Sequence, residues 1–205
     1  MAAILLCLLS LMISVNAKYT SLQWSKCGAT LKSNPPLALG SVSVTPVPIV
    51  IPGDMTLSIN GSLTRSVSSS SLTISLKRKT FLLDIPIPCI SHVGSCTYKD
   101  ICTMVDDMVT QNWAGIMGGI GTQIKAMLAK SGVTYNACPQ PAQALNINSY
   151  SLHIPEMPKI LSWFAAGDYH AHIEVNENSS GEQILCLDAD LTVDHACSGF
   201  GCIFG

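Results

Sequence analysis

The sequence is short of charge. Only 12% of its 205 residues are Asp, Glu, Lys or Arg, and the formal net charge is -2. That balance leaves no basic footprint for nucleic acid, which is not expected as a partner. Aromatic residues are scarce as well, at 6%. No G-x-S-x-G nucleophile elbow is present, and no single cysteine stands apart as a nucleophile. The glycine cluster "GIMGGIG" has no Lys-Ser/Thr after it and so cannot form a phosphate loop. Internal repeats and long linkers are also missing. These absences remove the commonest catalytic signatures, and no enzyme activity is expected.

What remains is aliphatic. Hydrophobic residues make up 48% of the chain, which fits either a dense β core or a hydrophobic cavity. Met1 to Ala17 is an apolar run without Asp, Glu, Lys or Arg, ending Val15-Asn16-Ala17. It falls short of the about 20 residues needed to span a bilayer, so residues 1–17 read as a cleaved signal peptide. Residues 18–205 are then one domain, large enough to bury a core. Beyond Cys7, eight cysteines remain: Cys27, Cys89, Cys96, Cys102, Cys138, Cys186, Cys197 and Cys202. An even number in a secreted chain points to disulfides, although eight cysteines allow on the order of a hundred pairings. Spacings are wider than those of zinc sites, apart from Cys197/Cys202, and no metal or cofactor is expected.

Period-two alternation dominates. Val42 and Val44, then Val47, Ile49 and Ile51, alternate with a phase slip at Pro46, which predicts a bulge or edge strand. Met55, Leu57 and Ile59 form an inward face, as do Leu72, Ile74 and Leu76. Tyr169, Ala171, Ile173 and Val175 alternate with His170, His172 and Glu174, and Leu185 to Val193 repeats the pattern. Antiparallel strands separated by Gly, Pro and Ser clusters are expected. One region differs. Thr97 to Asp100 has the form of a capping box, followed by a helical stripe of Ile101, Val105, Met108 and Val109. A second stripe of Ile120, Ile124, Met127 and Leu128 follows the glycine cluster, which is expected to interrupt the helix, and Ser131-Gly132 can close it. The polar phases with Asp168, His170 and His172, and with Asp188, Asp190, Asp194 and His195, have ligand-like spacing but read as solvated strand faces.

Five segments carry a resemblance: "LQWSKC", "PVPIVIPGDMTLSINGS", "IPCISHVGSCTYKDIC", "YSLHIPEMPKILSWFAAGDYHAHIEV" and "LCLDADL". In this order the chain, from about Leu22 to Leu191, resembles the ganglioside activator family within the ML-like lipid-recognition group. The resemblance implies a mainly β fold: a single antiparallel β-cup with a large apolar cavity, here with a helical insert at about 98–132. It implies a lysosomal, non-enzymatic cofactor that binds and transfers lipids, glycosphingolipid or phospholipid, and touches membranes transiently. Such a protein presents glycosphingolipid to a soluble glycosidase, a β-hexosaminidase. The alternative is a secreted lipid-binding or transfer protein with no enzyme partner, so the location is the secretory pathway, ending in the lysosome or outside the cell.

The same resemblance implies the pairs Cys27–Cys186, Cys89–Cys96 and Cys102–Cys138, leaving Cys197–Cys202 to each other. It places an apolar membrane lip at Phe81, Leu82 and Leu83 and at Ile160, Leu161, Trp163 and Phe164. The competing expectation for Trp163 is a plug folded into the core. The sequons at Asn60 and Asn178 are expected to carry glycans, Asn60 lying on an outward strand phase. The family's small disulfide loop between the counterparts of Cys102 and Cys138 is absent here, and the helical insert stands in its place. The tail with Cys197 and Cys202 runs past the family's end.

Overall fold

A computed structural model describes residues 19–27, 35–135, 138–161 and 166–196. The expected signal peptide, Trp163, Phe164, Cys197 and Cys202 lie outside these residues. Two sheets face each other. The larger contains β1 (Gln23–Lys26), β3 (Ile49–Ile51), β5 (Ser70–Lys79), β6 (Ile85–Ile87), β7 (Thr97–Tyr98), β9 (Gly167–Glu177) and β10 (Gln183–His195). Its main path runs β1-β10-β9-β5-β6, with β3 beside β10 and β7 beside β5. The smaller sheet contains β2 (Leu37–Thr45), β4 (Gly53–Leu63) and β8 (Gln143–Ile154), in the order β2-β4-β8.

The phase slip at Pro46 is where the chain changes sheets. β2 pairs with β4 in the smaller sheet, and β3 pairs with β10 in the larger. Pro46 and Pro48 have no N–H to give a ladder, so the strand must break between them. The β3–β10 pairing is parallel, unlike the other ladders, and departs from a purely antiparallel cup.

The alternating faces behave as expected. In the cross-strand register Leu72 lies opposite Val175, Ile74 opposite Ile173 and Leu76 opposite Ala171, which places one apolar row on one face of the larger sheet. Near one end Tyr169 and Val193 pack with Ile51 and Ile87, and Ile154 and Met157 of the smaller sheet's side close over them. Near the other end Val67, Val175 and Ile184 form a second cluster. The strand β8 has no clean period-two signal, since "NINSYS" interrupts it, and pairing along the whole of β4 determines its extent.

The insert forms two helices, α1 (Ile101–Gln111) and α2 (Met117–Lys130). α1 packs on β5 and α2 on β8, so the hairpin lies along one side of both sheets. The start of α1 corrects the capping-box reading. Asp100 is itself the N-cap, its Oδ1 accepting from Cys102 N–H at 2.9 Å, while Thr97 and Tyr98 are strand residues. The helix is interrupted at the leading edge of the glycine cluster, as expected: the break spans Asn112 (φ 44), Ala114 (φ 50) and Gly115 (φ 78), whereas Gly118, Gly119 and Gly121 lie inside α2. A Cβ on Gly121 would stand 3.0 Å from Val109 and 3.1 Å from Met108. That glycine therefore permits close approach of the helices rather than breaking one. α2 ends as expected, with Gly132 at φ 68 and Val133 N–H donating to Leu128 O at 2.9 Å. Its apolar face, Ile124, Met127 and Leu128, packs on Met55, Leu57 and Ile59 of β4 and on Ile147 and Leu152 of β8.

Candidate lipid-binding site

The helical hairpin covers one side of the two sheets. There an apolar cavity of about 210 Å³ opens among Leu37, Leu63, Val67, Ile101, Val175 and Ile184. Strand register places several of these side chains, with Leu37 opposite Leu63 in the β2–β4 ladder and Val175 opposite Leu72, while Ile101 comes from the start of α1. Such aliphatic walls, with almost no polar surface, suit hydrocarbon rather than a hydrogen-bonding ligand. The resemblance implies a large cup, and this apolar opening of about 210 Å³ lies at one end of the sandwich. At the other end the walls meet through the Tyr169 cluster. Tyr169 and Val175 are six residues apart, which is about 20 Å along a strand.

The expected lip residues sit at the Tyr169 end. Phe81, Leu82 and Leu83 follow β5 and are 78%, 84% and 63% exposed. Their turn is tied locally: Thr80 Oγ1 donates to Leu83 O at 2.6 Å, and Leu83 N–H donates back to Thr80 Oγ1 at 3.3 Å. Ile160 is 52% exposed. Leu161 differs from its expected place, because it is fully buried at 0%. The segment Lys159–Leu161 is a single 3-10 turn, with Leu161 N–H donating to Pro158 O at 2.8 Å. At three residues per turn, neighbours point in different directions, so Ile160 faces out while Leu161 turns in. Leu161 is an anchor of this loop and not part of its exposed surface.

The polar strand faces, expected to be simply solvated, hold cross-strand pairs. Register places His172 opposite Asp188 and His170 opposite Asp190. His172 Nδ1 donates to Asp188 Oδ1 at 2.7 Å, and His170 Nδ1 to Asp190 Oδ1 at 3.0 Å. The Asp188 hydrogen bond raises the His172 pKa above its ordinary value, partial burial opposes this, and Glu174 adds to the rise. Lys79 Nζ reaches Asp190 at 2.8 Å and Tyr19 Oη at 3.0 Å, and these bonds raise the Lys79 pKa. The signal in the sequence was an H-x-H beside a D-x-D of matching phase. Asp168 does not join these pairs, since its carboxylate accepts from the buried Thr192 hydroxyl. At the opposite strand ends, Glu177 is buried and bonded to Arg65, Ser180 and Ser68, which together hold its carboxyl down to about 2.

Three disulfides lie among the described residues: Cys27–Cys186, Cys89–Cys96 and Cys102–Cys138. They tie β1 to β10, close a hairpin, and staple the helical insert at both ends. Two three-residue groups have ligand-like proximity, Cys27–His172–Cys186 and Asp100–Cys102–Cys138, and in each the two cysteines are joined to one another. No described helix is long and apolar enough to cross a membrane. Both sequon asparagines are exposed. Asn60 Nδ2 donates once, to Asn146 Oδ1 at 2.9 Å. Asn178 Nδ2 donates twice, to Ser69 Oγ at 2.8 Å and to Lys99 O at 2.9 Å.

Comparison with known proteins places these features. A protein-family model for the ML domain matches residues 21–193. A Ganglioside GM2 activator of Macaca fascicularis is 26% identical over 171 residues, covering 83% of this chain and 82% of its own. The Ganglioside GM2 activator of Mus musculus is 22% identical over 165 residues, covering 80% and 77%. Among solved structures, a Niemann-Pick type C2 protein from Japanese carpenter ant aligns with a TM-score of 0.40 and 12% identity. That alignment covers 84% of this chain and 99% of the other.

Proposed function

The chain belongs to the ML-domain family, a lipid-binding fold, and from that membership we propose that it is a non-enzymatic lipid carrier. It docks on a membrane with the apolar lip, takes a lipid tail between its sheets, and moves the lipid through water. The observation that carries this reading is the triplet Phe81-Leu82-Leu83, three large apolar side chains in a row that are 63–84% exposed at one end of the sandwich. Isolated exposed apolar residues are ordinary, whereas a contiguous patch marks a membrane or partner surface. The physical need for a carrier is large. A tail of sixteen carbons costs on the order of 12 kcal/mol to expose to water at about 0.8 kcal/mol per CH₂.

The activator role rests on the relatives named Ganglioside GM2 activator. In this reading the protein works in the lysosome and presents a glycosphingolipid to a soluble β-hexosaminidase. Passage through the secretory pathway is consistent with three disulfides. Mass spectrometry of lipids that co-purify with the protein from a secretory host tests the carrier role. Stoichiometric lipid supports it, and a lipid-free protein that also extracts none from vesicles refutes it.

A further inference from the structure

We propose that the tip of the helical insert is a second membrane-contacting element, which lies at the same end of the sandwich as the Phe81 lip and enters the same bilayer. This rests on the membrane-docking reading above and adds a surface to it.

The exposed apolar side chains are not scattered over the protein. Among the described residues the large ones are Val50, Phe81, Leu82, Leu83, Ile85 and Ile160. Phe81 to Ile85 join β5 to β6, and Ile160 lies between β8 and β9. Val50 stands opposite Asp194 near the end of β10, next to Ile51 of the Tyr169 cluster. All of them therefore belong to the Tyr169 end.

Side-chain bonds fix the direction of α2 relative to that end. Gln123 is bonded twice to the backbone of His153: its Nε2 donates to His153 O at 2.9 Å, and its Oε1 accepts from His153 N–H at 2.7 Å. Past the helix, Thr134 N–H donates to Gln143 Oε1 at 2.8 Å, and Gln143 Nε2 donates back to Thr134 O at 2.9 Å. His153 is next to last in β8 and Gln143 is first, so α2 runs antiparallel to that strand. β8 ends at Ile154, which packs on the Tyr169 cluster. Met117 stands about 9 Å before Gln123 along the helix axis, at about 1.5 Å per residue. The start of α2, with Ile116, Met117 and Ile120, is thereby carried to the lip end.

The tip has the chemistry for hydrocarbon. No Asp, Glu, Lys, Arg or His occurs from Met108 to Ile124, whereas Lys125 and Lys130 lie further back along α2. Ile116, Met117 and Ile120 are half-buried and belong to none of the three buried clusters, while Gly115 and Gly119 are exposed. The tip is also held in place. Trp113 at its base is buried, with ring centroids 4.9 Å from His92 and 5.4 Å from Tyr98. Asn112 Oδ1 accepts from Gly118 N–H at 2.9 Å, which satisfies an amide in the first turn of α2 that would otherwise need water. A bilayer is wide enough to meet lip and tip at once, and it asks for no matching hydrogen bonds from either.

The experiment measures co-sedimentation of the full chain with phosphatidylcholine vesicles, with thermal melts of the same preparations. Ile116→Ser with Met117→Gln is expected to weaken vesicle binding about tenfold, from the partly exposed apolar surface lost. Its thermal midpoint is expected to hold, because Ile116 is the N-cap of α2, where Ser is preferred, and Gln suits a helix as well as Met does. Gly119→Asp and Ala126→Asp put the same charge at exposed positions about two turns apart on α2. Gly119→Asp is expected to weaken binding about tenfold, since a carboxylate resists entering the bilayer, and Ala126→Asp to bind like wild type. Wild-type binding by the Ile116/Met117 and Gly119 variants overturns the proposal, leaves the lip reading standing, and points the tip at a protein partner. Equal loss in Gly119→Asp and Ala126→Asp also overturns it, because position along the helix then has no effect. If the Ile116/Met117 variant fails to fold, the two Asp variants decide alone. If wild type does not sediment with the vesicles, the membrane-docking reading falls and the proposal with it.

Discussion

Leu161 and the Phe81-Leu82 pair stand on opposite sides of one distinction, and substituting each separates membrane contact from folding. Phe81 and Leu82 are 78% and 84% exposed. Full transfer of such side chains from water is worth about 1.5–3 kcal/mol each, so entering hydrocarbon yields roughly 3–4 kcal/mol for the pair after scaling by exposure. Phe81→Ser with Leu82→Ser should forfeit about 3 kcal/mol of membrane affinity, on the order of 10²-fold. Folding should change by no more than about 0.5 kcal/mol, the usual range for exposed positions. The Thr80–Leu83 hydrogen bonds that hold the turn involve neither substituted side chain. Leu161→Ala is the mirror case. A side chain at 0% exposure should cost about 3 kcal/mol, within the span for buried Leu→Ala. For a domain of this size that lowers the thermal midpoint by about 6–12 °C. Vesicle co-sedimentation and thermal melts on the same preparations give both readouts. The reasoning fails if the Phe81/Leu82 variant sediments with vesicles like wild type. It fails equally if that variant melts many degrees lower, since the pair would then be buried against something.

Three further predictions follow from single contacts. Gly119→Ala should stabilise by up to about 1 kcal/mol through helix propensity, as nothing lies within 4 Å of a Cβ there, while Gly121→Ala should destabilise because its Cβ meets Val109 and Met108; chemical denaturation of both variants must give opposite signs. The raised His172 pKa means that its pairing with Asp188 stabilises the fold fully below the unfolded imidazole value of about 6.5 and is lost as pH rises through the folded value. His172→Gln should therefore cost more stability at pH 5 than at pH 8 in denaturant titrations, and an equal cost at both would contradict the assignment. Glycopeptide mapping should find Asn60 occupied and Asn178 bare, because a glycan on Asn178 would break one of its two amide hydrogen bonds.

Strand identity was legible locally because it depends on alternation. The inward rows at Met55–Ile59, Leu72–Leu76 and Tyr169–Val175 needed no knowledge of their partners. The two-helix insert was legible for the same reason, from stripes at helical spacing. The role of each glycine in the cluster was not, since a glycine in a sequence signals either a turn or a close approach, and only the neighbouring helix shows that Gly121 is the second. The interrupted alternation of β8 concealed a strand that pairing with β4 imposes.

Sequence by itself determined the class of molecule. Scarce charge, abundant aliphatic residues, alternating strands and a cysteine-rich chain describe a β protein with apolar interior faces, because these are sums and periods that each segment carries alone. Tertiary structure decided everything that depends on two segments meeting. It turned Leu161 inward and left Ile160 outside. It set His172 against Asp188. It brought Arg78 opposite Tyr169, which lies 91 positions away along the chain. Periodicity assigns a side chain to a face, but only register and packing determine what stands opposite it, and binding chemistry depends on that second fact.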